Sequence, residues 1–250
     1  MDDTTRTICQ ATNRFYAEHA ASFASTRQQA WQGWERLLPY LAALPQSFTV
    51  LDAACGNLRF EQFLTGHGLY PAAAYAVDAC PELLAAPTPD AMQTERVCAD
   101  LIEMLDAGHD FGSIGVPACD LAVCFGFLHH LPRPDLRRRM VEALLGATKP
   151  GGPCIISFWQ FGKDERLAKK ARHLTAAAEQ ALSIVLDDDA DHFLGWQDAE
   201  DAFRFCHHFS DAECAGAARF AEEHGARVLD SFCADGRTGD LNRYLVLQVD

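Results

Sequence analysis

Residues 50–60 read Val50-Leu51-Asp52-Ala53-Ala54-Cys55-Gly56-Asn57-Leu58-Arg59-Phe60, and this stretch decides the fold. A short apolar run ends in the acid Asp52, a tight turn containing Gly56 follows, and an apolar-periodic helix begins at about Leu58. Open α/β sheets bind ligands at such turns, because ligands sit at the carboxyl ends of the strands. Small residues let the backbone approach a ligand, and the first helical amides point toward it. The nicotinamide fingerprint G-x-G-x-x-G is absent, which disfavours a dehydrogenase.

Further strand-like runs follow in an order that suits the same sheet. Residues 73–78 form an apolar run that ends in Asp78, and residues 96–101 form another that contains Asp100. An acid at the end of the second strand suits hydrogen bonding to ribose hydroxyls. A fourth run at 119–126, a helix at about 133–148, a Pro-Gly-Gly turn and a fifth strand at 153–159 complete the pattern.

The stretch at 50–60 resembles the first motif of class I S-adenosylmethionine-dependent methyltransferases, D-x-G-x-G-x-G after an apolar strand. Asp52 and Gly56 match it, whereas Ala54 and Leu58 stand where glycines are usual. The resemblance implies an α/β fold with a Rossmann-like, seven-stranded, mostly parallel sheet and helices on both faces. It also implies an antiparallel C-terminal hairpin, an N-terminal helical cap and an inserted lid after strand five.

The same resemblance implies one methyltransferase domain over residues 1–250. Its expected parts are an N-terminal cap of two helices at 10–44, a cofactor-binding core at 48–160, an insertion or substrate lid at 161–209, and a C-terminal helix and hairpin at 210–250. The insertion is expected to hold a helix at about 163–186 followed by a pair of strands.

The implied cofactor is S-adenosylmethionine, with S-adenosylhomocysteine as product. The residues expected to bind it lie at the strand ends: Asp52, Ala54, Gly56, Asn57, Asp78, Ala79, Asp100, Leu101, Phe125 and His130. A single acid after a strand is more commonly a turn or cap residue. His129 and His130 have a structural interpretation as well.

Two segments outside the core resemble the tRNA wobble-uridine methyltransferases, which esterify a carboxymethyl group on uridine. The first is Phe15-Tyr16 … Phe23-Ala24-Ser25-Thr26-Arg27 … Trp31, and the second is the "L-G-W … R-F-C-H-H-F-S-D-A-E" pattern at 194–213. The resemblance implies substrate contacts from Tyr16, Arg27, Trp31, Trp159 and His207. It implies catalytic roles for His208, Arg204, His130 and Asn242. A small zinc-binding activator subunit is a further possible partner.

The chemistry of the acceptor decides what those residues must do. A carboxylate is already ionised at neutral pH, so it needs cationic or hydrogen-bonding groups rather than a base. An amine or hydroxyl acceptor would need a base, and His130 or His208 would be the first candidates. His207 and His208 are adjacent on a predicted strand, so they should face opposite sides.

Two other functions stay open at this point. One is a small-molecule O- or N-methyltransferase that uses residues 161–209 as a lid over a metabolite. The other is a non-catalytic binding relative or activator, an interpretation that only Leu58 supports. The net charge of −14 weighs against a tRNA acceptor. Basic residues nevertheless cluster on the helices after strands four and five, as solvated faces or as a local footprint for RNA.

Composition indicates a globular chain of 250 residues with no apolar run long enough to span a membrane. Its ten cysteines include no C-x-x-C pair, which disfavours a zinc site or a disulfide scaffold and suits a reducing compartment. The N-terminus lacks the layout of a secretory signal. We therefore expect a cytoplasmic protein with no metal centre and no membrane partner.

Overall fold

A seven-stranded sheet forms the centre of the protein, in a computed structural model that describes residues 1–89, 92–196, 199 and 202–250. In chain order the strands are β1 (Thr49–Ala53), β2 (Ala73–Asp78), β3 (Thr94–Cys98), β4 (Leu121–Cys124), β5 (Pro153–Trp159), β6 (Asp191–Leu194), β7 (Arg204–His207), β8 (Ala226–Ala234) and β9 (Asn242–Val249). The large sheet has the order β3-β2-β1-β4-β5-β9-β8. Strands β1 to β5 are parallel, and β9 runs antiparallel to both β5 and β8. The predicted sheet and its C-terminal hairpin are confirmed.

Helices cover the sheet, as a parallel sheet requires because both of its faces are apolar. They are α1 (Asp3–Ser25), α2 (Gln32–Glu35), α3 (Leu38–Leu41), α4 (Arg59–Gly66), α5 (Pro81–Leu84), α6 (Leu101–Asp106), α7 (Pro134–Gly146), α8 (Glu165–Leu182) and α9 (Asp211–Glu223). Strand β4 is buried at every position, which explains its uninterrupted apolar sequence. Among the described residues, no helix combines the length and apolar character needed to cross a bilayer.

The N-terminal cap is helical, but its boundaries differ from the predicted pair within 10–44. Helix α1 begins at Asp3 because the Asp2 carboxylate caps it, accepting a hydrogen bond from the Thr5 amide at 2.8 Å. The second predicted helix is two short ones, α2 and α3. Pro39 stands in the first turn of α3 and has no N–H to continue a preceding helix, so it starts a new one.

The insertion after β5 consists of α8 and the antiparallel pair β6–β7. Helix α8 contacts β6, and α1 of the cap contacts β7, so the small sheet lies between the two helices. The Trp196 indole donates a hydrogen bond to the Ser22 hydroxyl at 2.8 Å, which joins the insertion to the cap. The expected strand pair in this region is present. Residues 197, 198, 200 and 201 of the expected lid lie outside the described residues.

Asp235 ties the cap to the C-terminal hairpin. Its Oδ1 accepts a hydrogen bond from the Gly33 amide at 2.9 Å. Its Oδ2 accepts from the Tyr244 hydroxyl at 2.6 Å and from the Asn242 amide at 2.9 Å. Asp235 has a φ of 67°, a left-handed conformation that its three bonds stabilise.

Replacing Gly33 by alanine should lower the free energy of unfolding by about 1–3 kcal/mol. A Cβ at this position would lie 2.4 Å from Cε2 of the fully buried Tyr244, so the ring or α2 would have to shift. Gly66→Ala is the matched control, because a Cβ there meets nothing within 4 Å and alanine is the better helix former. Urea denaturation measures both variants, and equal effects would contradict the packing argument.

Candidate active site

The turn between β1 and α4 takes a left-handed backbone conformation at alternate residues. Ala54, Gly56 and Leu58 have φ values of 60°, 57° and 60°. Two of these three residues are not glycine, and the left-handed conformation costs an L-residue about 1 kcal/mol or more. Leu58 is fully buried against Cys55, with Ala76 and Leu84 in the same apolar cluster. Its packing therefore offsets the backbone strain, and the turn keeps its shape despite the missing glycines.

The Asp78 carboxylate holds this turn beside the end of β2. Its Oδ2 accepts a hydrogen bond from the Gly56 amide at 2.8 Å, and its Oδ1 accepts one from the Cys80 amide at 2.9 Å. Burial raises the pKa of Asp78, while these amide hydrogen bonds oppose the shift. Each oxygen keeps a second lone pair that can accept from a ligand.

A cavity of about 710 Å³ opens at the carboxyl ends of the strands, beneath the cap. All ten residues predicted to bind the cofactor line it: Asp52, Ala54, Gly56, Asn57, Asp78, Ala79, Asp100, Leu101, Phe125 and His130. Asp100 also caps α6, accepting from the Ile102 and Glu103 amides at 2.8 and 3.1 Å, so its structural interpretation holds too. Its other oxygen accepts from the Asn13 side chain at 2.7 Å.

Three acids line the cavity. Asp52, Asp78 and Asp100 stand at the ends of three adjacent strands and offer hydrogen-bond acceptors at this edge of the sheet. Besides its carboxylate, S-adenosylmethionine presents an ammonium, a sulfonium, two ribose hydroxyls and an adenine amino group, which are cations or hydrogen-bond donors. The acceptors that the protein offers therefore fit this cofactor.

Basic and aromatic side chains line the same cavity. Arg27, Arg59 and Arg204 are among them, and none of these three forms a salt bridge with any residue that the structure describes. Burial lowers the pKa of Arg27 to about 10, and repulsion from Arg204 and Arg59 adds to that shift. The Arg27 guanidinium lies 3.7 Å from the centroid of the Phe23 ring. Three arginines without an ion-pair partner in the described part of the chain favour the binding of an anionic ligand.

Arg204 is the most deeply placed of these cations. It is 7% exposed, and its Nε has no hydrogen-bond partner. Its nearest polar contact is the Tyr16 hydroxyl, at 3.4 Å from the guanidinium. The rings of Phe15 and Trp159 lie 5.1 and 5.7 Å from it.

His130 is neutral and fully engaged. Its Nδ1 donates to the Phe205 carbonyl at 2.6 Å, so its Nε2 is the acceptor for the Tyr16 hydroxyl at 2.9 Å. Burial lowers the pKa of His130 to about 3, and the nearby Arg204 cation adds to the shift. It lines the cavity as predicted, but it has no free nitrogen to serve as a base.

The other predicted acceptor-side residues divide into two groups. Those that line the cavity are Tyr16, Arg27, Trp31, Trp159, Arg204 and Asn242. His207 and His208 do not line it, which differs from the catalytic role expected for His208 and the substrate contact expected for His207. The Asn242 side chain already donates to Asp235.

The positions of the two histidines follow from the phase of β7. Arg204 faces the cavity, so His207, three positions on, faces the other side of the ribbon. There His207 is fully buried, with its ring nitrogens 2.6 Å from Asp191 and 2.8 Å from Glu213. His208 follows the strand end and accepts a hydrogen bond from the Gly162 amide at 3.1 Å.

Ligand atoms of His129, His130 and Cys206 lie within 4.8 Å of one another. Both nitrogens of His130 are already hydrogen-bonded, and the Arg204 cation lies near enough to lower its pKa. This cluster is therefore poorly suited to a metal cation.

Arg59, Phe23, Asp235 and His129 also line the cavity, and the sequence did not single them out as site residues. Arg59 directly follows the first motif at 52–58, and this position is the sequence signal that could have identified it as a site residue. The turn between β1 and α4, which we call the cofactor turn, is also fastened to the cap by two side chains. The side-chain amide of Asn57 donates a hydrogen bond to the Arg27 carbonyl at 3.1 Å, and the Arg59 guanidinium donates one to the Gln29 carbonyl at 3.2 Å. We call these two bonds the turn–cap clasp.

Ala54→Gly should raise the free energy of unfolding by about 0.5–1 kcal/mol, because glycine takes the left-handed conformation without strain. Ala53→Gly, one residue earlier in regular β1, should lower it by about 1 kcal/mol instead. Guanidinium denaturation of the two variants gives both values. A loss at both positions would show that the turn is unstrained.

A family model described as a methyltransferase domain matches residues 23–219. The chain is 30% identical over 147 residues to a tRNA (carboxymethyluridine(34)-5-O)-methyltransferase of Arabidopsis thaliana. That alignment covers 59% of this chain but 32% of the relative, so the chain spans only about a third of that protein.

Solved structures share the fold at low sequence identity. A Burkholderia thailandensis 1,6-didemethyltoxoflavin-N1-methyltransferase superposes with a TM-score of 0.61 at 17% identity, covering 100% of this chain and 91% of that one. A Haloferax volcanii protein described as a putative methyltransferase in complex with the Trm112 activator gives a TM-score of 0.56 at 14% identity, covering 95% and 97%. The family match and the cavity together show that the chain belongs to the methyltransferase-domain family and takes its methyl group from S-adenosylmethionine.

Proposed function

We propose that this enzyme methylates a carboxylate oxygen, and that its acceptor is the carboxymethyl group of a wobble-position uridine in tRNA. The single observation that carries this proposal is the buried, unpaired guanidinium of Arg204. The similarity to the Arabidopsis relative, a tRNA (carboxymethyluridine(34)-5-O)-methyltransferase, supports the choice of acceptor.

Burying a cation without a counter-ion costs several kcal/mol, so the buried charge of Arg204 destabilises the ligand-free protein. An incoming carboxylate would offset that cost, because a guanidinium can donate two parallel hydrogen bonds to it. Arg27 adds a second positive charge near Arg204, and the Tyr16 hydroxyl fixes the guanidinium from the side. The rings of Phe23, Trp31 and Trp159 line the same cavity and suit stacking against a flat base.

The reaction then needs little from the protein beyond orientation. The cofactor supplies an electrophilic methyl group, and a carboxylate oxygen is a nucleophile without loss of a proton. Arg204 and Arg27 would hold the carboxylate in line with the methyl group. No base is required, which agrees with the engaged, neutral state of His130.

The two basic helices contribute unequally to an RNA-binding surface. On α7, Arg133 is paired with Asp106 and Asp135, and Arg137 is buried with a hydrogen bond to the Leu131 carbonyl. On α8, Arg166, Lys169 and Arg172 are exposed. Arg138 and Arg139 of α7 are exposed as well, but α8 carries more exposed cations, so we assign the main phosphate contacts to α8.

A small zinc-binding activator remains part of the proposal as a partner. The solved complex of a putative methyltransferase with the Trm112 activator has the same fold, which supports this kind of assembly.

A small-molecule acceptor is the second candidate function. The observation that favours it is the aromatic lining of the cavity, since the Burkholderia thailandensis structural neighbour binds 1,6-didemethyltoxoflavin. A carboxylated heteroaromatic metabolite would satisfy the same arginines.

The test is methyl transfer from labelled S-adenosylmethionine to tRNA that bears carboxymethyluridine. We expect label in that tRNA, none in tRNA with unmodified uridine, and release of labelled methanol in mild alkali, since esters hydrolyse there and N-methyl groups do not. The free nucleoside is the comparison acceptor. Equal efficiency for nucleoside and tRNA would favour the small-molecule function, and alkali-stable label would refute carboxylate methylation.

Arg204→Met should reduce methyl transfer at least about 100-fold, because one charged contact to the reacting group is lost. The affinity for S-adenosylhomocysteine should change less than about threefold. The free energy of unfolding should stay equal or rise by about 1 kcal/mol, since the variant removes an unpaired buried cation. A large loss of stability would mean that Arg204 is structural. Arg204→Lys keeps the charge without the planar pair of donors, so its activity should lie between those of the wild type and Arg204→Met.

The transfer rate at saturating cofactor should be constant between about pH 6 and 8. The carboxylate acceptor is ionised throughout this range, and His130, with its pKa lowered to about 3, stays neutral throughout. Single-turnover rates measure this directly. A rate that rises with an apparent pKa near 6.5 would indicate a histidine base and an amine or hydroxyl acceptor.

A further inference from the structure

His207 is a fully buried histidine whose two ring nitrogens both contact carboxylates. Its Nδ1 lies 2.6 Å from Oδ1 of Asp191, and its Nε2 lies 2.8 Å from Oε1 of Glu213. Asp191 stands on β6, directly opposite His207 in the pairing of β6 with β7. Glu213 stands in the first turn of α9. These three residues, which we call the buried triad, therefore connect the small sheet of the insertion to α9.

The two contacts of the ring require two hydrogens. A neutral imidazole carries a single N–H, so it can donate to only one of two carboxylates. The other oxygen of Glu213 accepts hydrogen bonds from the amide and the hydroxyl of Ser210 at 2.9 and 2.8 Å. Burial would raise the pKa of Glu213, but the hydrogen bonds from Ser210 and His207 lower it overall. Glu213 is therefore an ionised acceptor, and the short contact to Asp191 needs a hydrogen of its own.

The charges around the triad favour a cation at His207. Ligand atoms of Asp188, Asp191 and His207 lie within 4.8 Å of one another, so Asp188 adds negative charge beside the ring. The buried Arg137 of α7 opposes it, and its guanidinium lies 5.9 Å from the centroid of the Phe209 ring, which His207 contacts from another side. One arginine faces three carboxylates in this part of the fold. A protonated His207 reduces that excess, which is costly in a buried site.

We propose that His207 is an imidazolium at neutral pH and a positioning residue, which holds the β6–β7 ribbon on α9 and thereby sets Arg204 for the acceptor. Strand β7 has four residues, with Arg204 at its first position and His207 at its last. A slip of one residue would turn each side chain of a strand to the opposite face. The bond to Asp191 opposes such a slip against β6, and the bond to Glu213 fixes β7 on the core. The role given to Arg204 rests on the proposed function.

The charge of His207 can be measured in the free protein by ¹⁵N NMR at pH 7.5. We expect both ring nitrogens to carry a hydrogen, with the signals assigned by their absence from His207→Gln. Asp191→Asn supplies an amide donor to Nδ1, so in this variant a neutral ring satisfies both contacts and the imidazolium should be lost. A wild-type ring with one bare nitrogen would overturn the proposal.

Methyl transfer to tRNA that bears carboxymethyluridine tests the positioning role. His207→Gln can donate to only one of the two acids, so the KM for this tRNA should rise about 10-fold, because Arg204 is no longer fixed. The dissociation constant of S-adenosylhomocysteine should change less than about threefold. Combining His207→Gln with Asp191→Asn lets the two amide side chains pair, so the KM should return to within about threefold of wild type. His192→Gln, a half-buried histidine on β6, is the matched control and should behave like wild type.

An unchanged KM in His207→Gln, an equal loss of cofactor affinity, or a double variant without rescue would each overturn the proposal. If His207→Gln fails to fold, Asp191→Ala replaces it, because it removes the cross-strand partner and should raise the same KM. A wild-type protein that methylates no carboxylate acceptor would refute the proposed function instead. The Arg204 Nε–H resonance then decides the inference, since that atom is buried in the free protein. Its signal should be lost in His207→Gln, and a signal that persists there would overturn the positioning role.

Discussion

The carboxylate of Asp78, which accepts hydrogen bonds from the amides of Gly56 and Cys80, is the constraint on which the cofactor site depends. Strands β1 and β2 are parallel neighbours, so their ends lie side by side at one edge of the sheet. One side chain therefore fixes the turns that follow both strands. The cavity opens beside these two fixed turns, at the carboxyl ends of the strands.

The cavity brings acidic and basic groups together. The acids at the strand ends suit the cationic groups of S-adenosylmethionine, and the arginines from the cap, α4 and β7 suit an anionic acceptor of the kind that we propose. In the described part of the chain, the buried Nε of Arg204 has no hydrogen-bond partner. A carboxylate acceptor would bring the negative charge that this arginine lacks.

The parallel strands and the acids at their ends could be predicted from sequence, because buried parallel strands read as apolar runs and turn residues mark their ends. The start of α1 and the break before Pro39 depend on caps and on a missing N–H, which periodicity reports poorly.

The acceptor side was harder to predict for a geometric reason. A ribbon as short as β6–β7 gives no sign of which face meets the cavity, so Arg204 could be assigned only through a family resemblance. His207 and His208 were expected to face opposite sides, and neither of them lines the cavity.

The turn–cap clasp has a consequence for turnover. Asn57 and Arg59 belong to the cofactor turn, yet they hold the backbone of Arg27 and Gln29 in the cap. Lifting of the cap would break both bonds and would carry Arg27 away from the acceptor site that we propose. Release of S-adenosylhomocysteine by that route would therefore open the acceptor site in the same movement.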